Sequence, residues 1–241
     1  NTLDEKIYSD IGNSFNLMRI LYENAKWIGN ETDFFKGAQW KSKTCFEKTE
    51  GNVDIILFEP ANNKFNTKEF LKLIKEKIRS VYKIRFHSIH SSDDHNETIR
   101  YSKLFFHYNS YNIMFKRKEQ FFLNFEKKLY EIKKLSIDLN SIVFSGSSVL
   151  GAMGIRAPKD LDIFHVKNLK FPDYLSSHNS QLKFLQIKIN EIIFNPKNYF
   201  FYMGLKFLHP KILLKLKENR LKIKPNSKDE SDISLLKTNL N

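Results

Sequence analysis

Cysteine is nearly missing from this chain of 241 residues: there is one, Cys45. A lone thiol excludes an intramolecular disulfide framework and any zinc site built on several thiolates. Proline and glycine are scarce, at six and eight residues, and they form no linker or low-complexity tract. No apolar run approaches the roughly 18 residues that a membrane-crossing helix needs. The most apolar stretches, such as residues 53–58, are strand-sized. No basic, apolar and small-residue leader pattern opens the sequence, which begins on Asn1. From these absences we expect a reducing, cytoplasmic setting.

Charge and aromatic residues are plentiful. Lys and Arg outnumber Asp and Glu by 40 to 27, a net charge of +13, which raises a nucleic-acid partner as a reading. The excess is spread, however. Residues 1–118 hold 20 basic against 15 acidic side chains, and residues 119–241 hold 20 against 12. No block of five basic residues occurs, so a generally basic, solvated surface is the favoured reading, with an anionic small molecule ahead of nucleic acid as ligand. The paired aromatics, such as Phe105-Phe106 and Tyr199 to Tyr202, suit faces buried between layers rather than a stacking platform for bases.

Periodicity predicts an α/β (α+β) chain of two units. In residues 1–118, strands are expected at 53–59, 84–90 and 110–115, and helices at 67–79 and 95–107. Asp94 and Glu97 form an Asp-x-x-Glu pattern that caps the second helix. That role accounts for the acids near His87, His90 and His95 better than a metal site does. In residues 119–241, Phe122, Phe125, Leu129 and Ile132 mark an amphipathic helix over 119–135. A strand is expected at 141–145, two more at 183–194 and 198–203 hinged at Asn195-Pro196, and helices at 210–219 and about 229–238.

The chemistry concentrates after the strand at 141–145. Gly146, Gly151 and Gly154 fall within nine residues and precede Asp160-Leu161-Asp162-Ile163-Phe164. A strand that turns on Gly146-Ser147 into a helix presents unpaired backbone N–H groups, which suit phosphate. Asp160 and Asp162, two apart on a second strand, project carboxylates from one face. Such a pair repels itself and gains from a divalent cation. Arg156, Lys159 and Lys217, with Arg220 and Lys228, are candidate contacts to phosphate or acceptor, although each is individually commoner as solvated charge.

These residues resemble the signature of the DNA polymerase β-type nucleotidyltransferase superfamily: hydrophobic–Gly–Ser, then Asp–hydrophobic–Asp–hydrophobic, with twelve residues between Ser147 and Asp160. The resemblance runs over residues 141–236. It takes in NPKNYFFYMGLKFLHPKILLKLKENR and KDESDISLL, which are similar to the closing segment of small bacterial members. It implies a minimal nucleotidyltransferase fold in residues 119–241, a mixed sheet flanked by helices. It also implies Mg²⁺-dependent transfer of a nucleoside monophosphate from an NTP to an acceptor, with two ions. Carried over, Gly146 and Ser147 hold the triphosphate, and Asp160 and Asp162 ligate metal.

The superfamily's third carboxylate, which activates the acceptor, sits on a later strand. Glu191 is the candidate here, with the polar Asn190 beside it, and Asp173 is the fallback. Without a third acid the chain would bind nucleotide without turning it over. The front segments GNETDFFKGAQWKSKTCFE and HSSDDHNETIR, the latter continuing to NSYNIM, are similar to the front halves of uncharacterised proteins of bacterial surface-polysaccharide gene clusters. That likeness implies a sugar or phosphorylated small molecule as acceptor, bound with help from residues 1–118. The rival readings are a toxin-type or regulatory nucleotidyltransferase acting on protein or tRNA, and a non-catalytic nucleotide- or nucleic-acid-binding module. Cys45, with no histidine near it in sequence, reads as an inert thiol.

Overall fold

The computed structural model describes residues 55–58, 67–81, 89, 91–92, 94–118, 120, 122–166 and 171–240. Cys45, His87, His90 and the segment 29–47 lie outside the described residues. The chain divides into two compact units, Asn1–Phe106 and His107–Asn241.

The first unit contains α1 (Thr67–Val81) and α2 (His95–Phe105). The apolar stripe Phe70, Leu71, Ile74 and Ile78 is half-buried along α1, as the spacing predicts. Asp94 caps α2 as expected, its Oδ1 accepting the Glu97 N–H at 2.8 Å. The strand expected at 53–59 does not form over residues 55–58. They belong to no ladder, and Ile56 and Leu57 are exposed. An apolar run becomes a strand only when a neighbour takes its N–H and C=O groups.

The second unit opens with α3 (Tyr108–Lys116) and α4 (Leu123–Lys133). Then follow β1 (Ile142–Ser145), α5 (Ser147–Ala152), β2 (Leu161–His165), β3 (Leu175–Ser177) and α6 (Ile189–Phe194). β4 (Tyr199–Tyr202), β5 (Leu205–Leu208), α7 (Pro210–Ile223) and α8 (Ser227–Leu240) complete it. The strands form one mixed sheet in the order β3-β2-β1-β5-β4. β1 runs antiparallel to β2 and parallel to β5, β2 parallel to β3, and β4 antiparallel to β5.

The central strands are buried on both faces, and Phe207 on β5 is the hub. Its ring lies 5.1 Å from Phe144, 5.7 Å from Phe200, 5.9 Å from Tyr202 and 6.3 Å from Phe125, centroid to centroid. Phe125, Leu129 and Ile132 of α4 are buried, three of the four residues of the stripe read from the sequence; Phe122 stands at the N-cap, half-buried.

Two expected strands are helices. Residues 110–115 lie in α3, because His107 caps it: Nδ1 accepts the Ser110 N–H at 3.2 Å. Ser110 Oγ accepts the Phe201 N–H at 2.8 Å, and Asn109 Nδ2 donates to the Tyr199 carbonyl at 2.8 Å. In this way α3 covers the open edge of β4. Residues 183–194 form the end of a 3₁₀ turn, Asn179–Phe184, and then α6. Among the described residues, no helix is long and apolar enough to cross a membrane.

Candidate functional site

β1 and β2 pair so that Ser145 lies opposite Asp162, and directly opposed residues share a face of the sheet. The chain leaves β1 through Gly146, at φ +59° and ψ −140°, a conformation open to glycine and costly for other residues. Glycine is required there on space as well. An ideal Cβ at 146 would stand 2.2 Å from Asp162 Oδ2. The turn is therefore drawn tight onto the Asp162 carboxylate. Gly154, also at positive φ, serves packing instead, since a Cβ there would meet the Lys118 carbonyl at 2.3 Å.

α5 begins directly after the turn, as the sequence predicts. Asp160 stands just before β2 rather than within it. Its Oδ1 accepts the Ser147 hydroxyl at 3.3 Å. Gly146, Ser147, Asp160 and Asp162 thus meet at one end of the sheet. α5 spans six residues, too short to build a long helix dipole. Ser145 Oγ, facing the same side as Asp162, is buried with no hydrogen-bond partner. An orphaned buried hydroxyl beside a carboxylate has spare bonding capacity for something not otherwise present in the chain.

Periodicity misses one member of the site. His178 follows β3, which pairs with β2 at Asp162↔Ser176. His178 Nε2 lies 3.1 Å from Asp162 Oδ1, and its Nδ1 is buried without a partner. β3 is three residues long, Leu175-Ser176-Ser177, too short for a period-2 signal. The sequence pattern predicts no strand there, and nothing in it marks the histidine.

The remaining sequence candidates sit elsewhere. Arg156 Nε and Nη2 donate to Asp232 at 2.7 and 2.9 Å. Lys217 Nζ bridges Asp229 and Asp232 at 2.9 Å to each, and Arg220 closes the cluster on Asp229. Arg156 and Lys217, expected as phosphate contacts, are thus engaged by two buried aspartates. Burial alone would raise both carboxyls. Hydrogen bonds and charge from Arg220 and Lys217 at Asp229, and from Arg156 and Lys217 at Asp232, more than offset it and hold both below the usual carboxylate range. The cluster ties the loop that delivers Asp160 to α7 and α8.

Lys159 is exposed beside Asp160. Glu191 was expected on a strand. It lies exposed on α6, its N–H donating to the Lys188 carbonyl at 3.0 Å. The helix forms because Ile192 and Ile193 pack inward as neighbours on one arc, not alternately. Asp173 is exposed in the turn before β3. Among the described residues, no group of three His, Cys, Asp or Glu side chains is arranged to hold a metal ion. No family model, curated protein or solved structure matches this chain.

Proposed function

We propose that the second unit is a Mg²⁺-dependent nucleotidyltransferase, moving a nucleoside monophosphate from an NTP to an acceptor hydroxyl. The observation that carries the reading is the Asp162 carboxylate seated against the Gly146 turn, with Ser147 bonded to Asp160. The donor set suits magnesium: two carboxylates offer hard oxygens, and substrate phosphates and water complete the shell. Asp160 and Asp162 are the residues that would hold it. The ion, when bound, would neutralise phosphate charge and polarise the reacting phosphorus. The chain's own part is placement. The Gly146–Ser147 amides receive phosphate oxygens, and Ser147 keeps Asp160 turned toward the same point.

We take the acceptor to be a sugar or a phosphorylated small molecule. This rests on the resemblance of the front segments, of which 29–47 lies outside the described residues. One observation favours a second reading, nucleotide binding without turnover: Glu191 lies on α6, and no triad of metal-binding side chains surrounds the aspartate pair among the described residues.

The test is a panel of NTPs assayed by thermal shift, with Mg²⁺ and with chelator. A ligand at about 100 times its dissociation constant stabilises by about 2.7 kcal/mol. The expected result is a Mg²⁺-dependent shift that disappears in an Asp160→Ala, Asp162→Ala double variant. Binding indifferent to both changes removes the proposal. Incubation of labelled NTP with cell extract then separates turnover from binding alone, and a small-molecule acceptor from protein or tRNA.

A further inference from the structure

Deepening that reading and resting on it, we propose that His178 is a positioning residue that assigns the two oxygens of Asp162 to different tasks, Oδ1 to the imidazole and Oδ2 to a divalent cation at the glycine turn.

The backbone and the ring of His178 are both held against β2. Its N–H donates to the Ile163 carbonyl at 2.8 Å, one residue beyond Asp162. Its ring centroid lies 6.2 Å from that of Phe164. The β2–β3 register brings the histidine alongside the aspartate. Nε2 then stands 3.1 Å from Oδ1, with the side chains of His178 and Asp162 only 18% and 14% exposed.

The hydrogen's position follows from the partners. A carboxylate oxygen can only accept, so Nε2 carries the hydrogen. Nδ1 is buried without a partner. With Oδ1 engaged, rotation of the Asp162 carboxylate is stopped, and Oδ2 stays where the absent Gly146 side chain leaves room. A ligating carboxylate pinned by an outer hydrogen bond binds its metal more tightly than a free-turning one, and loss of such a partner costs roughly 10–100-fold in affinity.

The test uses the full chain and Mn²⁺ as a paramagnetic substitute for Mg²⁺, read by electron paramagnetic resonance with and without a non-hydrolysable NTP. His178→Phe keeps the ring volume and removes the donor, and the Mn²⁺ dissociation constant should rise roughly 10–100-fold. His178→Gln, whose amide nitrogen reaches the Nε2 position, should restore affinity to within a few-fold of the parent. His178→Asn, too short to reach, should behave like the Phe variant and replaces it if that chain fails to fold. Circular dichroism and thermal midpoints establish folding for each variant.

Equal affinity in parent, Phe and Asn variants overturns the inference and leaves the functional reading standing. Nitrogen hyperfine coupling to bound Mn²⁺ that vanishes in the Phe variant also overturns it, because the histidine is then a direct ligand. A parent chain that binds Mn²⁺ neither alone nor with nucleotide removes both.

Discussion

The Asp162 carboxylate fills the space that a side chain at position 146 would occupy: Oδ2 lies 2.2 Å from the ideal Cβ site of Gly146. Gly146→Ala must therefore displace either the turn or the carboxylate, and alanine must also hold φ near +59°. We expect a loss of roughly 1–3 kcal/mol from backbone strain alone, together with loss of the Mg²⁺-dependent thermal shift. Adding Asp162→Ala relieves the clash but not the strain. The double variant should thus lose less stability than the sum of the singles in urea unfolding. Additive losses would mean that the two positions do not compete for space.

Arg156 and Lys217 are held by the buried Asp229 and Asp232 in the ion cluster at α7 and α8. Lys217→Met leaves Asp229 and Asp232 buried, each keeping its arginine but losing the bridging cation. Breaking a buried pair by removing one partner costs about 3–5 kcal/mol, and urea denaturation should show a loss of that order. An unchanged urea midpoint would return Lys217 to the list of ligand contacts.

Acid should unfold the second unit in two windows. Burial pushes His107 and His209 down to about 4. The unfolded histidines therefore take up protons first, and stability falls as pH drops from near 6.5 toward 4. Asp229 and Asp232 are held below the usual carboxylate range. Their contribution is present above the unfolded carboxylate pKa and is lost as pH falls through the folded values. His107→Asn keeps an N-cap acceptor without a titrating ring. Urea midpoints measured against pH should lose part of the upper window in this variant and keep the lower one.

Ser110 joins α3 to the sheet edge by accepting the Phe201 N–H. Ser110→Ala removes the hydroxyl that accepts this part-buried N–H and should cost about 0.5–1.5 kcal/mol. Amide exchange should quicken first along β4, where α3 covers the edge. Protection of Phe201 equal to the parent's would rule out the hydroxyl as its partner.

Legibility followed the range of the interactions. The Asp94 cap, Pro210 in the first turn of α7 and the stripe of α4 depend on residues within a few positions of one another, and all were readable. The glycine turn and Asp162 were readable because the turn closes one strand and the aspartate lies on the next, whereas Asp160, expected on that strand, stands just before it. Residues 110–115 and 183–194 were not readable. Their apolar residues suit either period, and the deciding contacts come from elsewhere: His107 and Phe201 around Ser110, and Asn198, whose amide donates to the Glu191 carbonyl at 2.9 Å. His178 was invisible because a three-residue strand carries no period.

Local order picked out the candidate residues: a glycine bend, a serine and two acids at set spacings, in a chain with one cysteine. Tertiary structure decided what stands beside them. Sheet register alone brings His178 to Asp162, and helix packing alone diverts Arg156 and Lys217 to buried aspartates. The physical reason is that pairing across strands and charge satisfaction across helices join residues far apart in the chain, and no short window of sequence records which partner each one meets.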